Sequence, residues 1–425
     1  MKKRYIEVLL ILTLFIFYTS CGVQNSSSTS KSDGFFSSTS SEAYENPLSM
    51  VVSPDQLSLS GTKDGYYLSE TSTDGSALIT YIDYKTQSKV PLCNRPECKH
   101  EDDTCFAYTS RGVILFVVGD QLYLYYPEMA SGKGGESNRE NLARIEVSNL
   151  DGTGRRVFYF FDADTQITYG ILTDGKFIYY SRHKYALEDD QIKVDYEFVQ
   201  QDLSNGNIVE LMPLSEQKKV VDVKNNYIFF EEFVSKPNGN VEYVVTAAQK
   251  KLNSIEEEHE VLRCDYDKSV LLIKSGVAYR YNKEKKTLEK EDLLTGKIVS
   301  VAIDYSFNDF FNSNSRLMID AVYEPYLILK GHKKRELFEF IVHMDTGEVH
   351  PNSLYYINYL DEKMFFQIKS EFENYFLIIS GSNPINIMVN YTDTPLSMTI
   401  EKAQYSIINK EDYFNMQKQK VQIIN

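Results

Sequence analysis

Apolar and polar positions alternate in short stretches along most of the chain, and turn dipeptides close many of them. Gly65-Tyr66-Tyr67-Leu68 leads to Leu78-Ile79-Thr80-Tyr81-Ile82-Asp83-Tyr84. Leu122-Tyr123-Leu124-Tyr125 leads to Leu142-Ala143-Arg144-Ile145-Glu146-Val147, and Phe177-Ile178-Tyr179-Tyr180 leads to Glu197-Phe198-Val199-Gln200-Gln201-Asp202-Leu203. Aromatic and β-branched residues at a period of two suit half-buried pleated strands. Asp64-Gly65, Asp74-Gly75, Asp151-Gly152, Asp174-Gly175, Asn205-Gly206 and Asn238-Gly239 supply turns, because these residues tolerate positive φ. Only Val245 to His259 carries a weak helical periodicity. It ends in Glu256-Glu257-Glu258 and reads either as a helix or as a solvated excursion.

The strand pairs recur. First strands are expected near Tyr66, Leu122, Phe177, Tyr227, Val277, Tyr326 and Met364, at steps of 56, 55, 50, 50, 49 and 38 residues. Such a period fits four-stranded blades that bury their faces only by stacking on one another. The expected fold is therefore an all-β propeller of seven blades, with six or eight left open and a pair of β-sandwiches as the alternative. Blade closure in propellers often pairs an N-terminal strand with the end of the chain. Ala403-Gln404-Tyr405-Ser406-Ile407-Ile408 is the candidate for that closure, followed by Asn409 to Phe414 as a turn packing an aromatic pair.

The first residues break this pattern. Met1-Lys2-Lys3-Arg4 is basic, Val8 to Tyr18 is apolar apart from Thr13, and Tyr18-Thr19-Ser20-Cys21-Gly22 sets small or polar residues around a cysteine. This is the order of a secretory leader, and the apolar run is shorter than the roughly 20 residues of a membrane span. It resembles the lipobox of bacterial lipoproteins, which implies lipidation of Cys21; a plain signal peptide or a signal anchor is the alternative. Residues 22–41 are Ser/Thr-rich with Lys31 and Asp33 as their only charges, a composition that does not fold. The expected organisation is a signal peptide over residues 1–20, a tether over 21–45 and one propeller domain over 46–425.

Composition narrows the partners. The 425 residues carry 60 Asp and Glu against 45 Lys and Arg, a net charge of -15 that argues against nucleic acid. Trp is absent, which removes the WD-repeat signature and the sialidase-type Asp box. No HExxH, GxSxG or P-loop occurs.

The sharpest local motif is Cys93-x4-Cys98-x-His100-x4-Cys105, with Pro96 as a turn inside it. Three thiols and an imidazole within 13 residues make a Cys₃His structural zinc set. An extracytoplasmic address favours a disulfide among the three cysteines over that metal site, with simply reduced thiols as the third reading. Cys264 is expected to be buried in a strand apart from them, although four thiols could in principle make two bridges. Every version makes the segment a staple for a loop after the first blade.

Pro91-Leu92-Cys93-Asn94-Arg95-Pro96-Glu97-Cys98-Lys99-His100, with Cys105 and Ala107, resembles a segment of propeller lipoproteins of unknown function from anaerobic Gram-positive bacteria. The leader and Ile407 to Tyr413 share that likeness. The resemblance implies a membrane-tethered, TolB-like propeller, and TolB-like propellers have six blades. It brings no chemistry with it.

Three functions compete on this sequence. The preferred one is a monomeric, non-catalytic binding or scaffold domain for a protein, peptide or glycan, held by lipid on the outer face of the cell membrane. Tyr66, Tyr67, Tyr123, Tyr125, Tyr126, Tyr179 and Tyr180 are candidate contact residues, with core packing as their commoner role. The second is a propeller glycoside hydrolase or lyase. It needs two carboxylates roughly 5–9.5 Å apart, and nothing singles out a pair from Asp162, Asp164, Asp189, Asp190, Asp265 and Asp267. The third is a sensor or assembly domain that signals through a partner. No catalytic residue and no cofactor beyond the zinc reading is expected.

Overall fold

The predicted alternation is realised as strands. The computed structural model describes residues 46–53, 60–72, 76–128, 141–168, 170–188, 191–251, 254–266, 269–311, 315–334, 336–389 and 396–424. Residues 1–45, and with them Cys21 and the tether, lie outside the described residues, as do Asp74-Gly75, Asp189, Asp190 and Asp267.

After β1 (Ser49–Val52), β2 (Gly65–Thr71), β3 (Ala77–Asp83), β4 (Ser88–Pro91) and β5 (Tyr108–Thr109) form the first sheet. β6 (Ile114–Val118), β7 (Gln121–Tyr126), β8 (Arg144–Asn149) and β9 (Arg156–Phe160) form the second. The third comprises β10 (Thr165–Ile167), β11 (Ile171–Thr173), β12 (Phe177–Glu188), β13 (Gln191–Asp202) and β14 (Ile208–Leu214), with β1 paired to β11. The fourth runs through β15 (Lys219–Lys224), β16 (Tyr227–Ser235), β17 (Val241–Gln249) and β18 (His259–Asp265). β19 (Ser269–Lys274), β20 (Val277–Asn282), β21 (Thr287–Asp292) and β22 (Ile298–Ala302) make the fifth. β23 (Ser315–Tyr323), β24 (Tyr326–Lys333), β25 (Glu336–His343) and β26 (Val349–Pro351) make the sixth. A ribbon of β27 (Tyr355–Ile357) and β28 (Lys363–Phe365) precedes the seventh, which is β29 (Gln367–Phe372), β30 (Tyr375–Val389), β31 (Leu396–Asn409) and β32 (Gln422–Ile423).

These seven antiparallel sheets in chain order make the fold an all-β, seven-bladed propeller, one blade more than the resemblance implied. The described residues divide into two compact units: 46–232 with 245–260 and 352–424, and 233–244 with 261–351. The boundary passes through β16, β17 and β18.

Three expectations are corrected. From the second blade onward the repeat markers sit on second strands rather than first ones, as Leu122 in β7 and Tyr326 in β24 show. Met364 falls on the ribbon, whose Lys363-Met364-Phe365 carries the same apolar signature. The equivalent of Tyr326 is Tyr375 at the start of β30, a step of 49 residues that restores the period. Val245 to His259 is not a helix: it completes β17 and runs to the start of β18. Burial of Val244, Val245, Ala247 and Ala248 outweighs the weak local helical preference.

The third correction concerns closure. Among the described residues the seventh sheet draws its strands from residues 367–423, and β1 joins the third sheet instead. Val51 and Val52 pack there with Ile114 and Phe116 of the second sheet, while Leu48 packs with Val220 and Ile228 of the fourth. The first and seventh sheets meet through side chains. Tyr66, Leu68, Ile82 and Tyr84 share a cluster with Leu377, Ile379, Tyr405 and Ile407. The Tyr84 ring stacks on Phe372 at 3.7 Å and its hydroxyl donates to Ser370 Oγ at 2.8 Å.

The turn dipeptides behave as expected at Gly152, Gly175, Gly206 and Gly239, whose φ values are +81°, +86°, +78° and +85°. Gly65 serves a different end: a Cβ there would stand 2.3 Å from the Tyr81 ring, so its lack of a side chain admits that ring.

Candidate metal centre

The Cys/His motif is an excursion from one strand. β4 pairs with β3 from Thr80 to Asp83, and β5 pairs with the same edge of β3 at Ala77 and Leu78. Ile79, between them, holds both feet of the intervening loop. Its carbonyl accepts from Leu92 N at 2.9 Å, and its N–H donates to Ala107 O at 2.7 Å. Residues 93–106 therefore leave and rejoin the sheet at a single residue.

Two tight turns fold the loop inward. Cys98 N donates to Arg95 O at 3.1 Å across Pro96, and Cys105 N donates to Asp102 O at 3.1 Å. Asp102 Oδ1 also accepts from Thr104 N at 3.0 Å and from the Thr104 hydroxyl at 2.6 Å. His100 adopts a left-handed backbone, φ 59°, between the two turns. The sum of these turns is convergence. One ligand atom each from Cys93, Cys98, His100 and Cys105 lies within 4.8 Å of the others, and His100 Nδ1 is 3.1 Å from Cys105 Sγ.

Cys93 and Cys105 are buried, and Cys98 and His100 are half-buried. The expected disulfide is not formed: all three thiols are free. The loop directs four donors at a common point rather than aligning two cysteines for a bridge, and sulfur and imidazole donors in that number are geometrically suited to a structural metal such as zinc. Cys264, buried in β18, stands apart from the group.

A cation stands beside the thiols, on a loop that also carries Glu97, Glu101, Asp102 and Asp103. Arg95 Nε lies 3.5 Å from Cys93 Sγ and its Nη2 lies 3.6 Å from Cys98 Sγ. Nη2 also bonds the Thr104 carbonyl, and the guanidinium rests 4.8 Å from the Phe106 ring centroid. Burial pushes the Cys93 thiol up, but hydrogen bonds from Arg95 outweigh it and leave the thiol lowered to about 6. Burial pushes the Cys105 thiol up to about 11.

Arg155 ties the loop's return to the second sheet. Its Nη1 donates to the carbonyls of Phe106 and Tyr108 at 3.2 and 2.6 Å, its Nε donates to Glu146 at 2.7 Å, and its Nη2 bonds the Tyr126 hydroxyl. Sequence reasoning missed Arg155, which lies far along the chain. Arg95 was visible inside the motif, although its role beside the thiols was not.

The seven candidate tyrosines are core residues. All are buried, and three of the hydroxyls donate to fixed partners: Tyr67 to Leu150 O at 2.9 Å, Tyr179 to Asp174 Oδ2 at 2.6 Å and Tyr180 to Gln201 Oε1 at 3.0 Å. Ile167 N donates to the Tyr125 hydroxyl at 3.1 Å. Asp162, Asp164 and Asp265 do not converge with other ligand groups among the described residues.

In the second unit a cavity of about 330 Å³ is lined by Leu288, Val299, Val301 and Met344 together with Lys290, Glu324 and Asp345. Hydrogen bonds from Lys290 and Tyr279 hold Glu324 below the usual carboxylate range, the opposite of what a general acid needs.

No family model matches the chain, and no curated protein matches it. Solved structures similar to it include a puromycin-hydrolyzing peptidase of Mycobacterium tuberculosis at 9% identity and TM-score 0.48, covering 86% of this chain and 52% of that one. The β-propeller domain of the Trilobed protease from Pyrococcus furiosus is similar at 10% identity and TM-score 0.41, over 80% of this chain and 93% of that one. TolB from Acinetobacter baumannii is similar at 12% identity and TM-score 0.33, over 84% and 78%. The chain thus spans about half the length of the peptidase.

Proposed function

We propose that this protein is a lipid-anchored β-propeller on the outer face of a bacterial membrane, acting as a monomeric, non-catalytic binding or scaffold domain. The observation that supports it best is the closed character of its one convergent donor set among the described residues. Cys93, Cys98, His100 and Cys105 supply four protein ligands to one point, which fills a tetrahedral ion and leaves no position for substrate or activated water. Such a centre holds a loop in place. The leader ending at Cys21 supports the address, and two or more acyl chains on that cysteine give stable attachment.

The test uses the full chain in a bacterial host. Wild-type protein is expected in the membrane fraction, released by detergent, whereas Cys21→Ala should be secreted in soluble form or retained with its leader uncleaved. Wild-type protein recovered in soluble form without detergent, or a Cys21→Ala protein with a cleaved leader that stays lipid-bound, would overturn the anchor. The glycoside hydrolase or lyase reading gains the ground instead if the purified chain turns over a polysaccharide.

A further inference from the structure

We propose that the Cys93–Cys105 excursion binds one zinc ion through Cys93, Cys98 and Cys105 Sγ and His100 Nδ1, with Arg95 as the positioning cation that balances its charge. This reading does not depend on the lipid anchor, but the non-catalytic role rests on the same four donors, so loss of the metal would remove that support and leave the membrane test untouched.

Three arguments lead to it. The donors are three sulfurs and one imidazole within 4.8 Å of one another, a soft, four-coordinate set that suits zinc better than the oxygen-preferring calcium or magnesium. The charge then sums simply. Three thiolates around a dication leave one negative charge, and the Arg95 guanidinium stands over two of the three sulfurs at 3.5 and 3.6 Å. The thiol protons leave for solvent as the ion binds, so no redox partner is needed.

The third argument is mechanical. Both feet of the loop hang on Ile79, and its core is two short turns with few apolar residues of their own. A cross-link among residues 93, 98, 100 and 105 restricts the open chain, in the way a disulfide would. Zinc does so while keeping every sulfur equivalent in role. It also fixes the carbonyls of Phe106 and Tyr108 where Arg155 reaches them from beyond β8, so the ion secures the first sheet to the second.

The full chain, purified without chelator after growth in zinc-supplemented medium, should carry one zinc per chain by elemental analysis. Its three cluster thiols should resist alkylation until the metal is stripped. Exchange of wild-type protein into cobalt(II) should give thiolate-to-cobalt charge-transfer absorption and the intense visible bands of a tetrahedral site. That measurement needs no variant. Cys98→Ser should lose the metal, whereas Arg95→Met should keep the stoichiometry but bind zinc about 10- to 100-fold more weakly. Chelation should raise amide exchange over residues 92–108 and leave β23–β25 unchanged. Zinc-free protein without cobalt bands would overturn the proposal. So would an intact mass showing a disulfide within the cluster, and an Arg95→Met affinity equal to wild type would overturn the positioning role.

Discussion

His183 sits on β12 between two tyrosines, with ring centroids 4.9 Å from Tyr185 and 5.7 Å from Tyr196. Neither ring nitrogen has a hydrogen-bond partner among the described residues, and burial holds its pKa below the ordinary 6.5. A base lowered by folding binds more protons when unfolded. Its contribution to stability is therefore complete above the unfolded pKa of about 6.5 and declines as pH falls toward the folded value. Wild-type protein should thus lose stability between roughly pH 7 and 5 more steeply than His183→Phe, measured as urea midpoints across that range. Identical slopes would show that His183 does not contribute. The residue scale is also where the sequence was least readable. The motif named the right four side chains because metal ligands on one loop lie close in sequence. Spacing alone could not separate zinc from a disulfide, since both ask only that sulfurs come near. Nor could alternation show that the tyrosines are core, because stacked blades bury both faces of a strand.

At the level of elements, β31 and the helix that follows it carry the end of the fold. α1 (Lys410–Phe414) starts at Asn409, whose side chain accepts from Glu411 N at 2.9 Å, and Glu411 and Asp412 in its first turn suit the helix dipole. The helix is short, and packing sustains it. Tyr413 and Phe414 are buried against Phe376, with ring centroids at 5.5 and 5.7 Å. Tyr413→Ala should cost about 3–5 kcal/mol, read from the denaturant midpoint. Deleting residues from Tyr405 onward should prevent folding altogether, because it removes the partners of β30 from Tyr375 to Ile379. An unchanged melt of that truncation would contradict the role given to β31. The sequence located β31 and the packed aromatic pair, which are local signals, but read Asn409 to Phe414 as a turn where the chain forms α1. It left Val245 to His259 open between a helix and a solvated excursion and misplaced Met364, where the deciding neighbours lie on other strands.

Across the molecule, seven sheets are legible as a period, but their joining is not. Among the described residues the first and seventh sheets share no strand, and their seam there rests on side chains such as Tyr84 and Phe372. A double-mutant cycle on this pair should return a coupling of about 0.5–1.5 kcal/mol. Tyr84→Ala alone should lower stability by about 3–5 kcal/mol. A coupling of zero would mean that the stack does not hold the seam. The sequence suggested a shared strand because that is a common solution, and nothing local records that β1 pairs with Thr173 and its neighbours instead.

That placement of β1 bears on the order in which the chain can be built as it emerges, N-terminus first. A strand awaiting the last sheet would stay unpaired until synthesis had finished, exposing an adhesive edge throughout. β1 waits only for β11, and Ser49 meets Thr173 across 124 residues rather than the whole length. Each sheet can then complete its strand pairing in sequence, and among the described residues the final one takes side-chain contacts, but no strand, from the first. A fold assembled in that order has β1 paired long before the last sheet is made.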